Sequence, residues 1–341
     1  VAQEPEAKAN TKPEVHHDQK NNGFAYVFYA TKDTYACSVL VNIHRLRHAL
    51  SSTLPIHVLL TATVSPQYRD ALRSTDATLH ISTPPRLSPS SPHYAGGYYW
   101  DCLLKLLAFG LHTSTDPPLQ RILVLDSDQL IQHSLDDLFG SLPATDLAAP
   151  RAYWTDDKAA LASTFMLVEP GDRLWALVRE ALAAIRPDFF DMDLVNALLG
   201  DTVTLLGGEY ATLNSHWEDW NLPRWFLRSS SPGLNLTTVE AYNRHVKQHL
   251  SGPLPRLQPS SEGRESQAEP VAAVPRFPSS HPITSELSNL HAAVKVLHFS
   301  AVGKPWTYTP EQVRQLRPDA HPLLAEQFAT WRAIAEEVCP G

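Results

Sequence analysis

The chain of 341 residues carries 43% hydrophobic and 19% charged side chains, enough to bury a sizeable core and too apolar for disorder throughout. Its formal net charge is −8, from 28 basic and 36 acidic residues, and no Lys/Arg-rich run occurs, which argues against a nucleic-acid surface. No run of 18 apolar residues is present, so neither a spanning helix nor a signal peptide is read.

Residues 1–22 are polar and read as a disordered stem or linker. Because the chain starts at Val1 and not at Met, an upstream segment is expected. Phe24 to Thr31 is an aromatic-rich first strand, followed by a helix over 35–50 with Asp33 or Thr34 as its cap. Ile56 to Leu60 and Ala77 to Ile81 are further strands, separated by a helix that Ser65-Pro66 opens. This alternation predicts an α/β domain with a Rossmann-like, mostly parallel sheet flanked by helices. A Pro/Ser/Gly loop spans 83–97, and a helix follows at 101–109 with Lys105 as its one interior charge. A lysine so placed ordinarily snorkels to solvent.

Arg121 to Leu125 is apolar after its first residue and reads as a strand buried on both faces. It runs into Asp126-Ser127-Asp128 at the carboxyl end, where ligands bind in open α/β sheets. Two carboxylates one residue apart can share a hard cation; the same three residues also suit a plain turn. Ser134 would cap a short helix over 134–139. Residues 146–150 and 163–168 read as strands, and 171–185 as an amphipathic helix. Asp191 and Asp193 open another helix, where acidic side chains complement the dipole. Trp217 and Trp220 beside polar residues suit stacking on an acceptor sugar, or simple core packing.

Residues 251–283 read as a Pro/Ser-rich surface insertion, Ala293 to Phe299 as a buried strand carrying His298, and 320–337 as a terminal helix. The single domain thus expected covers 23–341. Three cysteines cannot all pair with one another, and Cys37 and Cys102 fall in apolar helical patterns as small buried hydrophobes. Asn235-Leu236-Thr237 fits a glycosylation sequon, usable in a secretory compartment. The 16 histidines show no zinc-ligand spacing.

Six segments, in this order, resemble glycosyltransferase family 8, the retaining nucleotide-sugar transferases that include glycogenin and galactinol synthase. They are Ala30-Thr31-Lys32-Asp33-Thr34-Tyr35, Lys105, Asp126-Ser127-Asp128, Ser163-Thr164-Phe165-Met166, Met192-Asp193-Leu194-Val195-Asn196, and His298 through Gly303-Lys304-Pro305-Trp306. The resemblance spans roughly residues 24–310. Ala162, Thr164 and Met192 depart from the family's Asn, Gly and Gln.

The resemblance implies a GT-A fold and transfer from a UDP-sugar (UDP-GlcNAc, UDP-glucose or UDP-galactose) to a glycan or small hydroxyl acceptor with an α-linkage. It assigns Ala30, Thr31, Tyr35, Lys105, Ser127, Ser163, Thr164 and Gly303 to the donor. Asp126, Asp128 and His298 would hold Mn²⁺, with Mg²⁺ as the alternative, because a histidine beside carboxylates suits Mn²⁺ better. Lys304 would add charge near the leaving phosphate. Asp193 would be the far-face nucleophile of a double displacement. In the front-face substitution by which the family is more often described, it would orient the sugar or stabilise its oxocarbenium charge, and this is the role expected here. Residues 101–106 and 213–223 further resemble a fungal N-acetylglucosaminyltransferase-like branch. That branch implies a Golgi-lumen, type II protein anchored upstream of Val1, a cytoplasmic protein being the alternative. Two other readings stand beside this one: a catalytically silent nucleotide-sugar-binding protein of the same fold, and an Asp-x-Asp phosphatase. Oligomeric state is open.

Overall fold

A computed structural model describes residues 23–85, 101–186, 188–230 and 283–341. The expected stem, most of the 83–97 loop, the Asn235 sequon and all but the last residue of the 251–283 insertion lie outside them.

The amino-terminal half runs β1 (Phe24–Ala30), α1 (Asp33–His44), β2 (Ile56–Leu60), α2 (Pro66–Arg73), β3 (Thr78–Ile81), α3 (Leu103–Ser114, wound as a 3-10 helix), β4 (Arg121–Leu125) and β5 (Gln129–Ile131). Then come α4 (Asp137–Ser141), β6 (Leu147–Pro150), β7 (Phe165–Val168), α5 (Asp172–Ala183), α6 (Asp191–Leu199) and β8 (Thr204–Leu206). The remainder is β9 (Thr212–Leu213), α7 (Ser215–Glu218), α8 (Arg224–Ser230), α9 (Thr284–Ala293), β10 (Val296–His298), α10 (Pro310–Leu316) and α11 (Leu323–Val338). None of the described helices is long and apolar enough to cross a membrane.

Seven strands form the main sheet in the order β3-β2-β1-β4-β7-β6-β8. All neighbours are parallel except those of β7, which runs against both β4 and β6. The sheet is buried on both faces. In β1 the residues Ala25, Val27 and Tyr29 join one apolar core, while Tyr26, Phe28 and Ala30 join another. In β4, Ile122 and Val124 divide from Leu123 and Leu125 in the same way. This is the period of two expected of a strand, and it explains why both sequences read as continuous apolar runs. A second sheet, β5-β10-β9, lies over a third core that takes in Trp217, Trp220, Phe299 and Trp331.

Several local expectations are corrected. Helix α1 starts after Lys32, and Asp33 accepts the Ser65 N–H at 2.8 Å instead of capping its own helix. Helix α4 starts after Asp136 with no side-chain cap, so Ser134 does not serve there. Cys37 is not an isolated hydrophobe: it forms a disulfide with Cys339 across 302 residues of sequence. Helical spacing places Cys37 on a buried face but cannot show that the end of α11 passes beside it.

Candidate active site

The parallel strands β1 and β4 end side by side, and their carboxyl ends frame a pocket lined by Tyr29, Tyr35, Asp101, Cys102, Asp126, Ser127 and Asp128. Tyr29, Asp126, Ser127 and Asp128 come from the ends of β1 and β4 and the turn after β4, Tyr35 from α1, and Asp101 and Cys102 from the helical turn leading into α3. Ala30 closes β1 in full burial, and Thr31 beyond it donates to Asp101 at 2.7 Å. Tyr35, in the first turn of α1, packs edge-on against Trp306 at 5.4 Å. Ser127 donates to the Tyr29 carbonyl, which pins the turn after β4 against β1.

Asp126 and Asp128 point to different partners. The Asp126 carboxylate meets the Lys105 ammonium and accepts from the Tyr29 hydroxyl at 3.1 Å. Lys105 does not snorkel. It is buried, and it also meets Asp191 at 2.9 Å and the Ser163 carbonyl at 3.4 Å. Burial alone would favour the neutral amine, but the Asp126 and Asp191 carboxylates outweigh it and raise its pKa. Burial likewise pushes the Asp126 carboxyl up, helped by the charges of Asp128 and Asp191 and opposed by Lys105.

Asp128 faces the other way, toward the loop after β10. Its Oδ2 lies 3.3 Å from His298 Nε2 and 2.6 Å from the Lys304 ammonium. Burial works against its charge, yet Lys304 and His298 win and hold its pKa below the usual carboxylate range. Lys304 and Asp128 are 176 residues apart in sequence. The pairing of β10 with β5 joins them, since His298 lies opposite Gln129 and the Phe299 N–H donates to the Asp128 carbonyl at 3.1 Å. Gly303 is required in this loop: its φ is +145°, and a Cβ there would stand 2.6 Å from the Tyr308 ring.

A hard divalent ion fits this donor set chemically. Two ligands of one ion, each about 2.1 Å from it, stand roughly 3 Å apart, which Asp128 and His298 approach at 3.3 Å. The Nδ1 atom of His298 is buried without a hydrogen-bond partner. The full set of three is not drawn together, because Asp126 is turned to Lys105 and Tyr29. Among the described residues no three His, Cys, Asp or Glu side chains converge on one point.

The other expected residues divide. Ser163 donates to Asp191 at 2.5 Å, and the Thr164 carbonyl accepts the Asp126 N–H at 3.1 Å, while the Thr164 hydroxyl is buried without a partner. Asp193 turns back to accept the Phe190 N–H at 2.9 Å, capping α6. Asp191, which sequence reasoning left as a dipole residue, is the one that reaches the site. A signal was available: Asp191, Leu194, Val195 and Leu199 fall on one helical stripe, and that stripe is the buried face of α6. Trp217 and Trp220 are corrected to core residues. They are 0% and 7% exposed, and their indole N–H groups donate to the Leu287 and Asp319 carbonyls.

Solved structures share the fold of this chain. The galactosyltransferase LgtC, in complex with donor and acceptor sugar analogs, superposes with a TM-score of 0.50 over 93% of this chain and 97% of its own, at 15% identity. An active-site variant of LgtC gives 0.51 over the same shares, also at 15% identity. The chain has the GT-A fold. In sequence it is 31% identical over 195 residues to glucose N-acetyltransferase 1 of Gibberella zeae, covering 54% of this chain and 42% of that protein. The corresponding protein of Aspergillus fumigatus is 30% identical over 175 residues, 38% of this chain and 44% of that protein. The chain thus spans less than half the length of these curated relatives. No protein-family model matches it.

Proposed function

We propose that this GT-A chain is a metal-dependent, retaining glycosyltransferase of family 8 type, moving a sugar from a UDP-sugar to a hydroxyl acceptor. The observation that carries the reading is the meeting of Asp128 with His298 and Lys304, the last 176 residues away in sequence, beside Asp126 and Lys105 at the carboxyl ends of β1 and β4. A departing nucleotide diphosphate needs its charge neutralised; Lys105 and Lys304 stand here among Asp101, Asp126, Asp128 and Asp191, so a divalent cation would supply the positive charge the site needs. Asp128 and His298, joined by Asp126 once its carboxylate turns from Lys105, are the residues that would hold Mn²⁺, whose chemistry is to act as a Lewis acid on the diphosphate.

Tyr35 and Thr31 line the side where a uridine would lie. Lys105 is fixed by Asp126 and Asp191, and Ser163 donates to Asp191, so these three form a buried charged network directly behind Asp126 that would set its charge and position. Asp193 keeps a sugar-orienting role only if its carboxylate leaves the Phe190 N–H. The Cys37–Cys339 disulfide supports residence in an oxidising secretory compartment such as the Golgi lumen.

The test is release of UDP from a panel of UDP-GlcNAc, UDP-glucose and UDP-galactose, with and without Mn²⁺, beside an acetyl-CoA control. Mn²⁺-dependent release that falls at least about 100-fold in Asp128→Asn is expected. Acetyl transfer without consumption of a UDP-sugar would replace the proposal. Metal-dependent UDP-sugar binding without turnover would favour a silent binding protein.

A further inference from the structure

The two lysines of the site differ in how tightly they are held. The Lys105 side chain is 1% exposed and is enclosed by Asp126, Asp191, the Ser163 carbonyl and the Tyr29 ring. The Lys304 side chain is 23% exposed. It has two partners, Asp128 Oδ2 at 2.6 Å and the Phe299 carbonyl at 2.5 Å.

Its backbone is fixed on both sides. Asn214 Oδ1 accepts the Ser300 and Ala301 N–H groups at 2.7 Å each, and Arg332 donates to the Pro305 carbonyl at 3.1 Å. Lys304 can therefore leave Asp128 by side-chain rotation alone, with no rearrangement of the loop. Rotations of this kind are fast.

The oxygen that Lys304 occupies is the one facing His298. A divalent cation shared by Asp128 and His298 would lie beside the ammonium, where two positive charges oppose one another strongly. A diphosphate reverses the preference, because it offers the ammonium anionic oxygens in exchange for Asp128. We propose that Lys304 is an internal cation that occupies Asp128 until a nucleotide diphosphate draws it away, so that metal and nucleotide must bind as a linked pair. The inference rests on the function proposed above and turns Lys304 from a fixed charge into a moving one. Lys105, without room to rotate, takes no part in the exchange.

The two ligands give opposite signs, which a residue that only props the site open would not. Free Mn²⁺ is measured by electron paramagnetic resonance on the full chain and on Lys304→Met, without nucleotide. UDP binding is measured separately by calorimetry in EDTA. The variant is expected to bind Mn²⁺ alone at least ten-fold more tightly than the wild type, and UDP alone more weakly. In the wild type, saturating UDP is expected to tighten Mn²⁺ at least ten-fold, with the reciprocal effect of Mn²⁺ on UDP that linkage demands.

Equal Mn²⁺ affinity in wild type and variant, or weakening of both ligands together, overturns the proposal. Lys304→Gln repeats the comparison should the methionine variant not fold, and absence of coupling in the wild type overturns the proposal by itself. Failure of the wider functional reading looks different: UDP then does not bind even with Mn²⁺ present.

Discussion

Asp191 and Asp193 stand two positions apart at the start of α6 and perform different work. Asp191 shares the Lys105 ammonium with Asp126, so Asp191→Asn leaves a buried lysine with one carboxylate fewer. Turnover of the UDP-sugar is expected to fall at least about 100-fold, measured as initial rate at saturating donor, with the fold retained by circular dichroism. Asp193→Asn keeps an oxygen able to accept the Phe190 N–H. It is expected to keep most of the turnover, whereas Asp193→Ala should lose about 1 kcal/mol of stability to chemical unfolding. A loss of turnover in Asp193→Asn as large as that in Asp191→Asn would return the charge of Asp193 to the chemistry. The sequence made Asp126, Asp128, His298 and Lys304 visible because they lie in ordered motifs. Asp191 lay hidden because first-turn acids are ordinary. What separates it from Asp193 is which face of α6 is buried, and that depends on the helices packed around it.

Helix α11 carries no residue of the pocket yet holds one of its loops. Arg332 bonds the Pro305 carbonyl, Trp331 packs on Trp306 at 5.9 Å, and the Trp331 indole donates to Ser38 of α1 at 3.1 Å. Beyond the end of α11, Cys339 is bonded to Cys37, two residues past Tyr35. Cys339→Ser should cost roughly 2–4 kcal/mol in chemical unfolding, since a cross-link over so long a stretch restricts the unfolded chain. Adding reductant to the wild type should give the same loss, and adding it to the variant none. The existence of α11 was legible from its amphipathic pattern. Its attachment was not, since three cysteines say nothing about which pair meets, and the contacts to α1 join the two ends of the sequence.

Among the described residues burial lowers the pKa of His57, His80, His216 and His291, most of all His57 and His216. Burial, with the neighbouring His80, pushes His57 down to about 4, and burial pushes His216 down to about 4 against the opposing hydrogen bond to Asn221. Both are neutral in the folded chain and take up protons more readily when it unfolds. Stability is therefore complete above the ordinary histidine value near 6.5 and is lost as pH falls from there toward 4, on the order of 2–3 kcal/mol for each group. Thermal midpoints recorded between pH 7 and 4.5 should fall, and a His57→Gln, His216→Gln double variant should flatten the slope. The α/β class and the place of Asp126-Ser127-Asp128 at the carboxyl edge of the sheet could be read from the chain because strand–helix alternation and a buried run before two aspartates are local patterns. The antiparallel β7 and the second sheet could not, since pairing partners are a matter of the complete topology.

The bond between Cys37 and Cys339 has a consequence for integrity as well. It closes the stretch from α1 to the end of α11, 302 residues of sequence, into a covalent ring. A single backbone cut anywhere between residues 38 and 338 opens that ring without releasing a piece. The cut molecule would migrate as one species on a non-reducing gel and separate into two on a reducing one. Damage of this kind would go unseen in any mass measurement insensitive to one added water, and after a cut between Asp128 and His298 those two residues would still be held in the same molecule.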